Sequence, residues 1–379
     1  MTKTLTARRA TPKEYLYQFG LLNGRFQLIH DGHIANASAM FDKVEHGVIN
    51  IGSANQSPDI RNPLTFEQRK AIWTEALTNH LNIPADRFTI IGQEDLGNPV
   101  RWASQVEESV ARIIRERGLD PDETDVAIFG HRKDATSFYL DDFPRYPLEH
   151  VEAVEDLSST QLRDQLFHIA GSAHAQEWLE TRVPTWNVPV LREFMASATF
   201  EKLLIEQHKA DDTAKAWEGT PYPVIFNTAD AVVVQGNRIL LSQRASYPGK
   251  DLWALPGTFL GYRETALDAA IRGATEKVGL DASRNQMRQA FVDTFVQDDP
   301  YRSTRGRTIS IVSIFRFKPV PKGRTAEERR RSMSLPRVRG LSTGTSAWLT
   351  PDEIHAMRSS IFEDHAIIID KALERLGIR

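Results

Sequence analysis

The chain has no cysteine in 379 residues, which excludes disulfides, thiolate zinc sites, iron–sulfur clusters and a cysteine nucleophile. It has no apolar run near the ~18 residues that a membrane span needs, and its first residues lack the apolar core of a signal peptide. Neither sign of charge prevails: 47 Lys and Arg stand against 50 Asp and Glu, a formal charge of −3. No bias toward polyanions follows from that balance. With 41% hydrophobic and 26% charged residues, the chain has enough apolar surface to fold and is not expected to be disordered. The length predicts two domains, in a cytoplasmic protein with neither nucleic acid nor membrane as partner.

The pattern along the chain supports that division. Residues 1–14 are polar and aperiodic, a loose tail. Four apolar runs read as buried strands, at 17–22, 47–52, 87–92 and 125–130, three of them ending in Gly52, Gly92 and Gly130. Between them Ile34, Ala37, Phe41 and Val44 share one helical face, and Val106, Val110, Ile113 and Ile114 another, stopped by Gly118. Strands alternating with helices predict a doubly wound parallel sheet, in which ligands bind beyond the carboxyl ends of the strands. Residues 191–217 read as a helical linker. Beyond them the pattern changes to β-hairpins around Gly236-Asn237, a helix at 264–278, strands at 290–296 and 308–317, and a long loop at 319–346. The cluster Arg329–Arg331 in that loop reads as a solvated charge run. The expected layout is an α/β domain over 15–190, the linker, and an α+β domain over 218–379.

Two stretches carry chemistry. Gly24-Arg25-Phe26-Gln27-Leu28-Ile29-His30-Asp31-Gly32-His33 lies between the first strand and the first helix. Two imidazoles there meet the free N–H groups and positive dipole end of a helix, a combination suited to a polyphosphate. From spacing alone a metal-binding or purely structural pair stays open. Leu157-Ser158-Ser159-Thr160-Gln161-Leu162-Arg163 follows an apolar run at 151–154 and opens another helix, where hydroxyls cap the helix or bind phosphate and Arg163 follows one turn later.

Together these stretches resemble the HxGH nucleotidyltransferases, whose second signature is I-S-S-T-x-x-R. Within them the chain is similar to nicotinamide mononucleotide (NMN) adenylyltransferases of the archaeal type. Gly52-Ser53-Ala54-Asn55, Arg61-Asn62-Pro63, Asn98 with Trp102, and Gly130-His131-Arg132-Lys133-Asp134 follow in the same order. One departure is Leu28, where the family commonly has Pro. The resemblance implies catalytic roles for His30, His33 and Arg163. It implies ATP contacts from Gly24, Phe26, Gln27, Gly32, Gly130, Asp134, Ser158, Ser159 and Thr160. Arg25, Ser53, Arg61, Asn98 and Trp102 are implied at the mononucleotide, Trp102 stacking on the cationic ring and Asn98 bonding its amide. Mg²⁺ is implied on the ATP oxygens.

Leu255-Pro256-Gly257 through Gly279-Leu280 resembles the Nudix box, G-x5-E-x7-R-E-U-x-E-E-x-G-U, in which a helix presents carboxylates to a divalent metal. Glu264, Arg272, Glu276 and Gly279 fit. Thr258 replaces a Gly, Gly273 the first metal Glu and Lys277 the last, so Glu276 alone is left as a metal ligand on that face. The whole resembles a fusion of an NMN adenylyltransferase with an ADP-ribose pyrophosphatase of the Nudix type. It implies ATP, NMN and NAD as partners. Hydrolysis at the second domain is expected to be lost or weak; an active ADP-ribose pyrophosphatase as second activity, ADP-ribose binding alone, a preference for the acid form of the mononucleotide (nicotinate mononucleotide) and self-association stay open.

Overall fold

A computed structural model of the chain describes residues 14–131, 142–152, 158–170, 172, 174–318, 336–339 and 344–378. Asp134, Leu157, the tail 1–13 and the Arg329–Arg331 cluster lie outside them. Contacts divide the chain into two units: Met1–Gly52 with Glu67–Ser159 and Val183–Val188, and Ser53–Phe66 with Thr160–Arg182 and Pro189–Arg379.

The first unit is built on five parallel strands, β1 (Tyr17–Gly24), β2 (Val44–Ile51), β3 (Phe88–Gly92), β4 (Val126–Gly130) and β5 (Leu148–His150), in the order β3-β2-β1-β4-β5. The chain leaves β1 for β2 on one side and returns to β4 on the other, so the order reverses beside β1. That is where sheets of this type open a crevice. The central strands are apolar because both faces are covered. Helix α1 (Asp31–Lys43) buries Ile34, Ala37, Met40 and Phe41. Helix α2 (Phe66–Glu75) follows β2, and α3 (Pro99–Glu116) buries Val106, Val110, Ile113 and Ile114 against Phe19, Leu21, Val48 and Ile128. Each such side chain contributes roughly 1.5–3 kcal/mol on burial. Helix α3 stops at Gly118, whose φ of 78° favours glycine.

The second unit has a mixed sheet. Helices α4 (Ser159–Ile169), α5 (Ala175–Thr181), α6 (Val188–Met195) and α7 (Ala198–Ala216) precede it. Strands β6 (Phe226–Gln235), β7 (Arg238–Gln243), β8 (Trp253–Ala254), β9 (Gly257–Phe259), β10 (Phe291–Gln297), β11 (Thr308–Phe317) and β12 (Ser346–Leu349) form the path β10-β11-β6-β7-β12, with β8 on β7 and β9 on β6. Alternation along β6 divides the core. Val232 and Val234 face Ile361, Ile368 and Ile369, the last two from α11 (His365–Leu376), while Ala229, Ala231 and Val233 face α8 (Ala266–Arg272) and α9 (Arg284–Ala290). A short helix α10 (Pro351–Ala356) starts on a Thr350 capping box.

Two expectations need correction, and a third falls partly outside the described residues. The strand paired with β4 is Leu148–His150, and Val151 N–H of the run at 151–154 still donates to Gly130 O at 3.1 Å, while 153–154 lie outside the described residues. The helix expected at 264–278 is α8 only to Arg272 and then one π-helical turn, Gly273–Lys277. The region 319–346 is not loop to its end: Val338 bridges Leu280, and β12 begins at Ser346.

Glycine sets how closely α1 meets the sheet. A Cβ on Gly47 would lie 2.6 Å from Met40 Cε and Phe41 Cε1. Gly47→Ala should therefore destabilise the first unit by about 1–3 kcal/mol through overpacking. A lower denaturation midpoint checks this; an unchanged midpoint would show that α1 yields freely.

Candidate functional site

The start of α1 is closed by two imidazoles. His30 is its N-cap in extended backbone, φ −123°, and His33 is the third helical residue. Gly32 N–H donates to His30 Nδ1 at 3.2 Å, and His30 N–H donates to His33 Nδ1 at 3.3 Å. This is a capping box made from histidine. Each Nδ1 is thereby an acceptor, so in the neutral ring the proton sits on Nε2. The rings lie 3.9 Å apart at 39°. Burial, and then the neighbouring His30, push the His33 pKa well below the usual imidazole value. The arrangement offers two neutral N–H donors at a helix N-terminus, suited to an anion.

The preceding loop is held by backbone carbonyls. The Arg69 guanidinium, 1% exposed, donates to the carbonyls of Arg25 at 2.6 Å and Gly52 at 2.7 Å. Burial pushes its pKa down to about 10. Ser159 Oγ donates to Leu28 O at 2.8 Å, and Asn187 Nδ2 to Ile29 O at 2.6 Å. Phe26 packs edge-on between His33 and Trp73, at 5.1 and 5.0 Å between ring centroids. Phe26 and Leu28 have φ of 52° and 72°. A proline ring holds φ near about −65°, so Leu28 goes with a loop path that the family's usual Pro does not take. Arg69 and Asn187 are absent from the sequence reading. A cation at helical spacing with Ile72, Trp73 and Ala76, all buried, was the available signal for Arg69; Asn187 left none.

Other expected residues follow the carboxyl ends of the parallel strands. Gly24 and Gly130 end β1 and β4, and Gln27 in the loop after β1 is buried. Gly32 lies in the first turn of α1, and Ser158 and Ser159 stand at the start of α4. Asn98 caps α3, its Oδ1 accepting from Arg101 N–H at 3.1 Å. One turn on, half-buried Trp102 meets Phe143 edge-on at 5.8 Å. Arg25 is exposed. Ser53, Arg61, Thr160 and Arg163 count with the second unit by their contacts. There Ser53 has φ 51°, Arg61 donates to Tyr301 O at 2.6 Å, and Arg163 donates to Thr160 Oγ1 at 3.0 Å.

The Nudix-box remnants brace the second unit. Arg272 Nε donates to Glu264 Oε2 at 3.1 Å, and Arg272 also reaches Thr258 Oγ1 and the Phe259 carbonyl. The guanidinium holds the Glu264 carboxyl below its usual range. Glu276, expected as a metal ligand, is exposed and paired with Arg284 at 3.2 Å. Lys277 Nζ donates to Gly257 O at 3.0 Å. Two further acids of this unit are engaged elsewhere: Asp293 pairs with Arg375, and Glu363 accepts from Ser303 at 2.8 Å. Among the described residues no group of three or more acidic or histidine side chains could hold a metal ion. The residues present do not fit a divalent cation on this helix face.

Family profiles match in both halves, Cytidylyltransferase-like over residues 21–165 and NUDIX domain over residues 226–371. A bifunctional NMN adenylyltransferase/ADP ribose pyrophosphatase from Francisella tularensis superposes with a TM-score of 0.82 at 30% identity, covering 95% of this chain and 100% of that one. This chain belongs to that bifunctional family. The Francisella protein complexed with AMP and a manganese ion gives a TM-score of 0.81 at 28% identity, over 95% of this chain and 100% of that one. The nicotinamide/nicotinic acid mononucleotide adenylyltransferase of Acinetobacter baylyi is 25% identical over 53% of this chain and 98% of its own length. The nicotinamide-nucleotide adenylyltransferase of Thermococcus sibiricus is 33% identical over 26% of this chain and 60% of its own length. No helix among the described residues is long and apolar enough to cross a membrane.

The His33 environment has a measurable consequence. A histidine whose folded pKa is depressed stays neutral as pH falls through 6.5, the ordinary value, while the unfolded chain takes up a proton there, so its contribution to stability declines from about pH 6.5 down to the lower, folded pKa. The His33 Cε1–H resonance should show no titration step centred near 6.5. A normal step there would mean that the ring is solvated and the capping box open.

Proposed function

We propose that the chain transfers the adenylyl group of ATP to NMN, forming NAD and releasing pyrophosphate. The pair of Nε2–H donors fixed by the His30–His33 capping box, beside the reversal of strand order, carries the reading. A mononucleotide 5′-phosphate oxygen attacks the α-phosphorus in line as the bond to the pyrophosphate oxygen breaks. Negative charge grows on the oxygens around that phosphorus, where neutral, desolvated N–H donors stabilise it most. His33 and His30 are assigned that work, and Arg25, Arg61 and Arg163 the phosphate charge. Gly24, Phe26, Gln27, Gly32, Gly130, Asp134, Ser158, Ser159 and Thr160 are assigned to ATP, whose Mg²⁺ enters as part of the substrate. The attacking phosphate is already ionised near neutral pH, so no general base is required.

For the acceptor, Trp102 presents a ring face to the cationic pyridinium, and Ser53 lies in the segment assigned to the mononucleotide. The Asn98 capping bond supports a second reading. With Oδ1 taken by the Arg101 N–H, the side chain has its NH₂ to offer. That donor suits an amide carbonyl or a carboxylate, so the acid mononucleotide should also be adenylylated. The transfer machinery is assigned to residues 15–190 and the Nudix fold to 218–379, with 191–217 as helical connector.

Purified protein with ATP, Mg²⁺ and NMN should yield NAD and pyrophosphate in equal amounts; no dinucleotide at micromolar enzyme would refute the reading. His33→Ala should lower kcat by about 10²–10³-fold and move KM for the mononucleotide far less.

ADP-ribose hydrolysis should be absent or very slow even in millimolar Mg²⁺ or Mn²⁺, because Gly273 and Lys277 remove the charge that holds the metal. Gly273 has φ −56°, and a Cβ there would stand 3.4 Å from the Gly257 backbone, so a side chain can be restored. Gly273→Glu with Lys277→Glu should raise hydrolysis. Brisk release of AMP by the unmodified chain, abolished by Glu276→Gln, would contradict this.

A further inference from the structure

We propose that Asn23 and Asn50 form a donor–acceptor pair that reads the carboxamide of the acceptor ring, so that the first unit favours the amide mononucleotide over its acid form. This deepens the adenylyl-transfer reading and rests on its assignment of the mononucleotide to Trp102 and Asn98.

Asn23 is the last residue but one of β1 and Asn50 the last but one of β2, and the two are partners in the parallel ladder. Side chains alternate between the faces of a strand. Asn23 therefore shares its face with Phe19 and Leu21, and Asn50 shares its own with Val48, all members of the core cluster that α3 covers. Half-buried Trp102 packs against the same cluster. Just past β3, Gln93 is buried as well and donates from Nε2 to Gln105 Oε1 of α3 at 2.8 Å. Apolar packing thus gives way to buried amides at the carboxyl ends of the strands, where sheets of this type admit ligands.

The two asparagines satisfy each other only in part. Asn50 Nδ2 donates to Asn23 Oδ1 at 2.8 Å. Asn23 Nδ2 and Asn50 Oδ1 are buried and have no hydrogen-bond partner among the described residues, in side chains of residues 5% and 1% exposed. Turning both amides over exchanges the strands and leaves the same remainder, one NH₂ and one carbonyl oxygen. Buried polar groups without partners are costly, and an apolar residue such as Val48, two positions earlier, would fill the place without that cost. What satisfies both is a ligand that brings an acceptor and a donor together. A primary carboxamide does so from one planar group. A carboxylate brings acceptors alone and would face the asparagine oxygen with like charge.

Asn98 and the pair divide the work. Asn98 caps α3 one turn before Trp102 and offers NH₂, from which either form of the mononucleotide can accept. A carboxamide oxygen has two lone pairs and takes that donor together with the pair's own. Asn98 therefore admits both acceptors, and the Asn23–Asn50 pair ranks them. The pair reads the ring substituent, away from the reacting phosphorus, so its effect falls on acceptor affinity.

Calorimetric titration of the full chain with a series of acceptors tests the pair: NMN, nicotinate mononucleotide, and 3-acetylpyridine mononucleotide, which keeps the carbonyl and loses the NH₂. NMN is expected to bind about tenfold or more tightly than either of the others, the worth of one buried polar group left unpaired. Asn23→Leu with Asn50→Leu removes both unpaired groups at once, so the differences should shrink to less than about threefold while the thermal midpoint holds or rises. Equal affinity for all the acceptors in the unmodified chain, no binding of NMN, or a preference kept by the folded double variant would each overturn the proposal. The acceptor series needs no variant, so it decides the matter even where the double variant does not fold. No dinucleotide from a chain that binds NMN with the expected preference would count against the transfer and not against the pair.

Discussion

The backbone N–H groups of His30 and Gly32 at the start of α1 must find acceptors, since a helix leaves its first donors unpaired. In this chain the acceptors are imidazole nitrogens. That single choice fixes both tautomers, turns both Nε2–H groups outward from the cap, and keeps the rings neutral where a protonated ring could no longer accept. Serine or aspartate would cap the helix as well but would leave no donor for a ligand. The surrounding parts serve this arrangement: Arg69 and Asn187 hold loop carbonyls, and Phe26 wedges His33 against Trp73. The two positive-φ residues in the loop store backbone strain that these bonds offset.

The second unit separates structural from chemical parts of a motif. Glu264 and Arg272 remain because they tie the Gly261 turn and β9 to α8. Removing either would leave a charge half-buried and unpaired, which costs more than the pair contributes. The metal carboxylates do no such work. Gly273 and Lys277 can replace them without disturbing the core, since Ile271, Ala274 and Val278 carry the packing on that helix. The packing of this unit therefore does not depend on carboxylates at positions 273 and 277.

How much of this was legible in the sequence depended on range. The β1–α1 turn could be read because its glycines and histidines lie within ten residues, and the helix faces because their period is local. The family resemblance supplied the remaining roles. Arg69 was hidden because a charged residue in an apolar stripe reads as surface until its carbonyl partners, 44 and 17 residues away, are known. The ladder that joins Leu148–His150 to β4 depends on a partner strand distant in sequence, and no local propensity encodes it. The π turn after Arg272 was likewise invisible: its hydrogen bonds shift by one residue while its side chains keep a helical pattern.

The two units also differ in how they hold positive charge. At α1 the donors are neutral, so their desolvation is cheap and the helix dipole supplies the field; such donors can strengthen as charge moves in a transition state. In the second unit Arg244 and Arg305 are full cations held over aromatic rings. Fixed charge of that kind attracts a ground-state anion as strongly as a reacting one, and uniform binding does not accelerate chemistry. Neutral donors on a helix dipole therefore suit the proposed transfer in a way that fixed cations do not.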